Sequence, residues 1–321
     1  MPKEIANRIN RRLETLMPFL TPTGVTLGFL FPSVFVQFRP FIPWLFGAMT
    51  LSGALKLRAK DLGAAAVSPI PVIGFFVSAH VVMPFVAFFV SRLLLPNDPD
   101  ATAGFVLLFS IPTAAAGFIW VSIFRGDGAL ALALLLLDTL LAPFVVPIAT
   151  SLFLGTSVSL DPWGMAVSLG GMIVLPTIIG VVLNEASRGA VPREVSPYLA
   201  PLAKMLLVVV ISANAAAVAP TVDFSNARVW SVALVGLLLA GCGFLLGKLM
   251  GFVPGINEER KRSLVFTIGL RNISAAATLA ITFFPEAAAL PAILGMIFQQ
   301  TLAAVFGRIL IGKPGDDGKK N

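Results

Sequence analysis

The sequence is short of charge and shorter still of the side chains that catalysis favours. Only 12% of its 321 residues are Asp, Glu, Lys or Arg, half of the roughly 25% that covers the surface of a soluble domain. A single cysteine, Cys242, excludes an internal disulfide and any thiolate metal cluster. One histidine, His80, excludes a multi-histidine metal site. No GxxxxGK[ST] phosphate loop, no GxSxG and no HExxH occurs. The expectation is a protein that is not an enzyme and carries no metal or cofactor.

Apolar residues are abundant instead, at 57% of the chain with a mean hydropathy of +0.92. There are 28 Gly and 24 Pro, both more frequent in membrane helices than in soluble ones. A net charge of +7 would suggest nucleic acid in a soluble protein. Here the basic residues sit in short loops between apolar stretches, so the expected partner is the lipid bilayer and not nucleic acid. No small-residue cleavage site follows Arg11-Arg12, and the basic N-terminus reads as a cytoplasmic tail, not a signal peptide.

Crossing the hydrocarbon takes about 20 mainly apolar residues. Such stretches lie near 17–36, 41–56, 67–95, 101–124, 128–154, 163–183, 199–219, 229–250, 263–284 and 287–311, which predicts an all-α integral membrane protein of ten transmembrane helices. With the N-terminus inside, 19 Lys and Arg fall on the inner side and only Arg39, Arg92 and Arg228 on the outer, with Arg271 inside a span. That bias puts both termini in the cytoplasm, and the short loops and compact tails fit a bacterial inner membrane. The ranges expected are a tail at 1–15, five spans at 16–155, five more at 156–312, and a tail at 313–321. An odd number of spans per set forces the second set to be inverted, an arrangement common in secondary transporters, whose sites lie at interrupted helices near the midplane.

Interruptions stand at matching places. The fourth span holds Ser110-Ile-Pro112-Thr-Ala-Ala-Ala-Gly117, where Pro112 removes a helix hydrogen bond and Gly117 permits unusual backbone angles. The ninth holds Thr267-Ile-Gly269-Leu-Arg271-Asn272-Ile-Ser274, with Gly269 to mark the break and polar side chains at mid-depth. A broken helix in lipid is tolerated only where protein lines a cavity, and the half-helix N-termini beyond each break favour an anion. A simple kink explains either break alone; two breaks in matched positions point to a site.

The chain resembles the bile acid:sodium symporter family over residues 16–311. The resemblance rests on Pro40-Phe-Ile-Pro-Trp44-Leu-Phe-Gly47, Gly53-Ala-Leu55-Lys56, Asp61-Leu62, Val82-Met83-Pro84, Pro112 with Arg125-Gly126-Asp127, Leu140-Leu-Ala-Pro143, and Gly269 with Asn272. It implies a panel domain (spans 1, 2, 6 and 7), a core domain (spans 3–5 and 8–10) whose two broken helices cross, an organic anion bound between the domains, and two sodium ions behind the crossing. The sodium ligands of the family are missing here. Its serine–asparagine pair aligns with Gly117-Phe118, its span-five hydroxyls with Ala131 and Leu135, its glutamate with Thr267, and its glutamines with Arg271 and Ala79. Transport without sodium is therefore expected.

Three ionisable residues lie inside spans. At 1.5 Å per residue Asp138 is about 16 Å from Asp127, Arg271 about 13 Å from Arg262, and His80 about 20 Å into its span. Such charges are costly in lipid and are paired or functional. Arg271 is expected to stand where a sodium ion would, with Asp138 as its counter-charge and with Asp138 or His80 as a carrier for a proton. A purely structural Asp138–Arg271 pair is the plainer alternative. Thr113, Ala115, Gly117, Asn272, Ser274, Gln299 and Gln300 are the expected substrate-cavity residues, and interhelical bonding is the plainer role for the two glutamines. Phe118, Trp120 and Asn214 are further candidates for the cavity wall. The function expected is transport of an organic anion, bile-acid-like or a small carboxylate, by alternating access. The alternatives are a non-transporting receptor on the same fold, or conventional sodium symport should the ligand alignment be shifted. Oligomeric state is left open.

Overall fold

The computed structural model describes residues 2–66, 68–155 and 161–312. The expected tail at 313–321, with Lys313, Lys319 and Lys320, lies outside them. Among the described residues all regular structure is helical. The main helices are α1 (Pro2–Leu30), α2 (Pro32–Ala54), α3 (Pro69–Leu94), α4 (Pro99–Ser110), α5 (Ala116–Ile123), α6 (Gly128–Leu154), α7 (Pro162–Ala186), α8 (Ala190–Thr221), α9 (Ala227–Met250), α10 (Glu258–Gly269), α11 (Ile273–Phe283) and α12 (Glu286–Leu310). Seven of them, α2, α3, α6, α7, α8, α9 and α12, are long and apolar enough to cross a bilayer. The chain is a multi-pass membrane protein. Residues 2–15, read as a tail, are the first turns of α1, tied to α8 by Lys3–Glu194 at 3.0 Å and by the Lys204–Asn10 hydrogen bond.

The helix starts follow from local chemistry. Pro32, Pro69, Pro99 and Pro162 each open a helix, at the position where the missing N–H would have had no partner. Asp98, Asp127, Asp161, Asn226, Asn257 and Asn272 cap the helices that follow by accepting a first-turn N–H. Outward-facing side chains are large and apolar. Trp44, Leu93, Leu152 and Trp163 are 77 to 79% exposed, a surface suited to lipid and costly in water. Small residues bring backbones together. Gly28 of α1 leaves no room for a Cβ against the Ser212 carbonyl of α8, and Gly104 of α4 leaves none against the Ala288 carbonyl.

Two helices are broken. α4 and α5 are separated by 111–115, and α10 and α11 by 270–272. The breaks meet: Ala114 N–H donates to the Leu270 carbonyl at 3.1 Å and Asn272 N–H to the Pro112 carbonyl at 2.9 Å, forming a single antiparallel bridge between Thr113 and Arg271. Neither glycine expected to mark a break lies in one. Gly117 is inside α5, and α10 runs through Gly269, which sits tight against the Phe244 ring. Two further irregularities are π turns, at Ser78–Val82 within α3 and at Gly170–Val174 within α7.

Candidate functional site

Breaking two helices side by side leaves N–H and C=O groups that the helices no longer satisfy. Two buried ionisable side chains answer them, and a third, His80, pairs with one of the two. Arg271, 2% exposed, donates Nη1–H to the Ile111 carbonyl at 3.3 Å and Nη2–H to the Ala79 carbonyl at 3.0 Å. Its backbone N–H donates to Gln299 Oε1 at 3.3 Å, while its Nε is buried without a partner. Asp138, fully buried on α6, accepts the Thr113 N–H at Oδ2 (2.7 Å) and meets His80 Nε2 at Oδ1 (2.7 Å). The Thr113 hydroxyl donates to the carbonyls of Thr267 and Leu270, at 2.8 and 3.1 Å.

The structure brings His80, Asp138 and Arg271 together, but not in the pairing read from the sequence. Asp138 pairs with His80, not Arg271. The guanidinium takes two backbone carbonyls and feels the carboxylate only through space. The π turn of α3 is the physical reason. It widens the helix at 78–82, and there the Ala79 carbonyl reaches Arg271 while the next side chain, His80, reaches Asp138. π turns of this kind are frequent at functional sites. His80 is backed by Phe76, stacked at 5.7 Å, and by the edge of Phe75.

Beside the crossing lies a cavity of about 300 Å³. On one side it is walled by α1, α2, α7 and α8, through residues such as Phe46, Ile173 and Ile211, and on the other by the two breaks, α6 and α12. Thr113, Ala115, Asn272, Ser274, Gln299 and Gln300 all line it. Gly117 does not; it is buried on the far side of α5, against the Phe266 carbonyl. Phe118 and Trp120 are also outside the lining, and Trp120 Nε1 instead donates to Gln300 Oε1 at 2.8 Å. Asn214 donates to Thr278 at 3.1 Å, joining α8 to α11. The first residues of α5 and α11 face the cavity, so two helix N-termini with their partial positive charge converge on it. Sequence reasoning missed Thr50, Thr139 and Thr177 in the lining. Each bonds the carbonyl four residues back on its own helix, at 3.0, 2.6 and 2.7 Å, a habit of membrane threonines that leaves no signal in the sequence.

At the positions aligned with sodium ligands, Ala79 and Ala131 are buried and Phe118 packs on the apolar cluster around Phe266. Leu135 faces the cavity, and the Thr267 hydroxyl is spent on the Ser263 carbonyl at 3.0 Å. Among the described residues, no group of three or more His, Cys, Asp and Glu stands close enough to hold a metal ion.

Apolar spanning helices, two breaks crossing at mid-chain charges and a cavity against them define a membrane transporter of the secondary type. The sodium bile acid symporter family model matches residues 42–222, and the chain belongs to that family, whose members are transporters and not enzymes. YbaS of Bacillus subtilis (strain 168) is 37% identical over 92% of this chain and 96% of its own length. An Arabidopsis thaliana protein named probable sodium/metabolite cotransporter BASS1, chloroplastic, is 28% identical over 94% of this chain and 74% of its own. YocS of Bacillus subtilis, named a sodium-dependent transporter, is 27% identical over 83% and 81%.

Proposed function

We propose that the chain moves an organic anion across a bacterial inner membrane by alternating access, without sodium, on a frame of ten spans in two inverted sets of five with both termini in the cytoplasm. In this reading α1, α2, α7 and α8 form the panel, the remaining helices form the core, and the anion sits between them, against the N-termini of α5 and α11. Its carboxylate or sulfonate meets the N–H groups of Ala116 and Ser274 in the first turns of those helices, the Ile273 N–H being bonded to the Arg271 carbonyl at 2.8 Å, and the Asn272 amide, whose oxygen is occupied by Ala275 N–H at 3.3 Å. The apolar residues Phe46, Ile173 and Ile211 receive the rest of the molecule. The Thr113 hydroxyl, spent on two carbonyls, holds the crossing and does not donate to substrate.

The observation that carries sodium independence is the Arg271 guanidinium, buried and bonded to carbonyls from α3 and from the first break. A permanent cation there satisfies oxygens that would otherwise attract a mobile one, and it repels sodium. Relatives named as sodium-dependent have the same family frame, so the test is direct. Proteoliposomes are given pyruvate, as a small carboxylate, or taurocholate, as a bulky amphipathic anion, with sodium or potassium as the only cation. Equal uptake in the two salts is expected. Uptake of either probe that requires sodium overturns the assignment of Arg271 as the built-in cation.

A further inference from the structure

Asp138 is a fully buried carboxylate whose two oxygens are both engaged, one by the Thr113 N–H of the first break and one by His80. A carboxylate is acceptor-only, so the imidazole meets it through Nε2–H, and in the neutral ring the second nitrogen carries a lone pair. That nitrogen, Nδ1, is buried and has no partner. The pair thus has one nitrogen committed and one open.

Charge at this depth is sparse. The elements packed against the π turn are α4, α6 and α9. Their other charges sit at helix ends: Asp98 and Asp100 for α4, Asp127 for α6, and Arg228 and Lys248 for α9. α3 itself adds only Arg92 in its last turn, and α10, packed just below, carries Glu258, Glu259, Arg260, Lys261 and Arg262 in its first turns. Arg271 alone shares the level of the pair. With a neutral imidazole, Asp138 and Arg271 cancel; one added proton leaves a net positive charge behind the cavity wall. Thr113, bonded to Asp138, and Thr139, next to it in the chain, both line that wall. An anion seated there favours the added proton, and by linkage the proton favours the anion to the same degree.

We propose that His80 and Asp138 form the proton-binding site of the transporter, taking up one proton with each anion and releasing it after translocation. The proton enters at His80 Nδ1, converting a neutral imidazole beside a carboxylate into an imidazolium–carboxylate pair, and leaves by the same atom. No other bond forms or breaks. The proposal rests on the transport reading above, yet the site can be tested without any substrate.

His80 is the chain's single histidine, so nitrogen-15 histidine labelling of a protein free of any histidine tag reports this ring alone. In lipid vesicles its ring signals are expected to pass reversibly between neutral and charged forms as the pH is lowered. Asp138→Asn, which keeps an acceptor for the Thr113 N–H, is expected to displace that transition. A ring that stays in one form throughout, or a transition untouched by Asp138→Asn, overturns the site. In proteoliposomes an outside-acid gradient should accumulate taurocholate about tenfold per pH unit over protein-free vesicles, the ratio one proton per anion sets, and His80→Gln should lose that response. Uptake indifferent to the gradient overturns the coupling and leaves anion transport standing. Should taurocholate not enter at all, the transport reading suffers for that probe, and the ring titration still decides the proton site.

Discussion

The two breaks solve the same problem with different means. The first is written into the backbone: Pro112 cannot donate, and the residues after it, Thr113, Ala114 and Ala115, bring almost no polar side chain of their own. Its freed groups are served from elsewhere, the Thr113 N–H by Asp138 of α6 and the Ile111 carbonyl by Arg271. The second break contains no proline. It carries Arg271 and Asn272, which bond outward to three elements and cap α11. Thr113 and Ala114 return bonds to the Thr267 and Leu270 carbonyls, but only the second break brings a charged side chain, so the crossing depends more on the second.

That asymmetry can be broken in order of cost. Arg271→Met removes both guanidinium bonds and leaves the buried Asp138 carboxylate without the cation that balances its charge, though still bonded to Thr113 and His80. The expected loss is about 3–5 kcal/mol, with uptake abolished, read by thermal unfolding in detergent and by proteoliposome assay. A stable, active Arg271→Met protein would show that the cation does not hold the crossing. Asp138→Ala strands one N–H of the first break, at about 1–3 kcal/mol, and unfolding should separate it from the milder Asp138→Asn. Asn272→Ala loses the cap of α11, about 1 kcal/mol, and should weaken anion uptake beyond that stability loss because the amide faces the cavity. Pro112→Ala is expected to cost least, about 0.4–1 kcal/mol through the unfolded chain, since the bridge to Leu270 and Asn272 remains. A larger loss for Pro112→Ala than for Asn272→Ala would reverse the ranking of the two breaks.

Much of this was legible in the sequence, for reasons that differ by residue. Length and hydropathy locate most helices to within a few residues, and Pro112 announces its break because the chemistry is local. Gly117 and Gly269 misled because a glycine also serves close packing, and both pack here against a carbonyl or a ring. The depth of His80, Asp138 and Arg271 follows from counting along helices, and all three do meet. Their pairing does not follow, because depth says nothing of the angle around each axis. A π turn, which no composition marks, sets that angle for α3. Threonines whose hydroxyls are spent on their own helix were invisible for the same lack of a local mark.

The π turn at Ser78–Val82 also governs the part of α3 beyond it. A residue of α-helix turns the chain by about 100°, so a wide turn amounts to one residue inserted without lengthening the helix in proportion. Before it Pro71 and Phe75 are buried, and after it Met83, Ala87 and Ser91. Deleting a single residue at this point would restore an ordinary helix and leave the second half on its present face, with Ser91 inside and Arg92 over the Phe88 ring at 5.7 Å. What it would change is local: the Ala79 carbonyl and the His80 ring would lose the register that brings them to Arg271 and Asp138. An added residue elsewhere in α3, with no wide turn to absorb it, would swing every later side chain by about 100° and alter which face meets lipid.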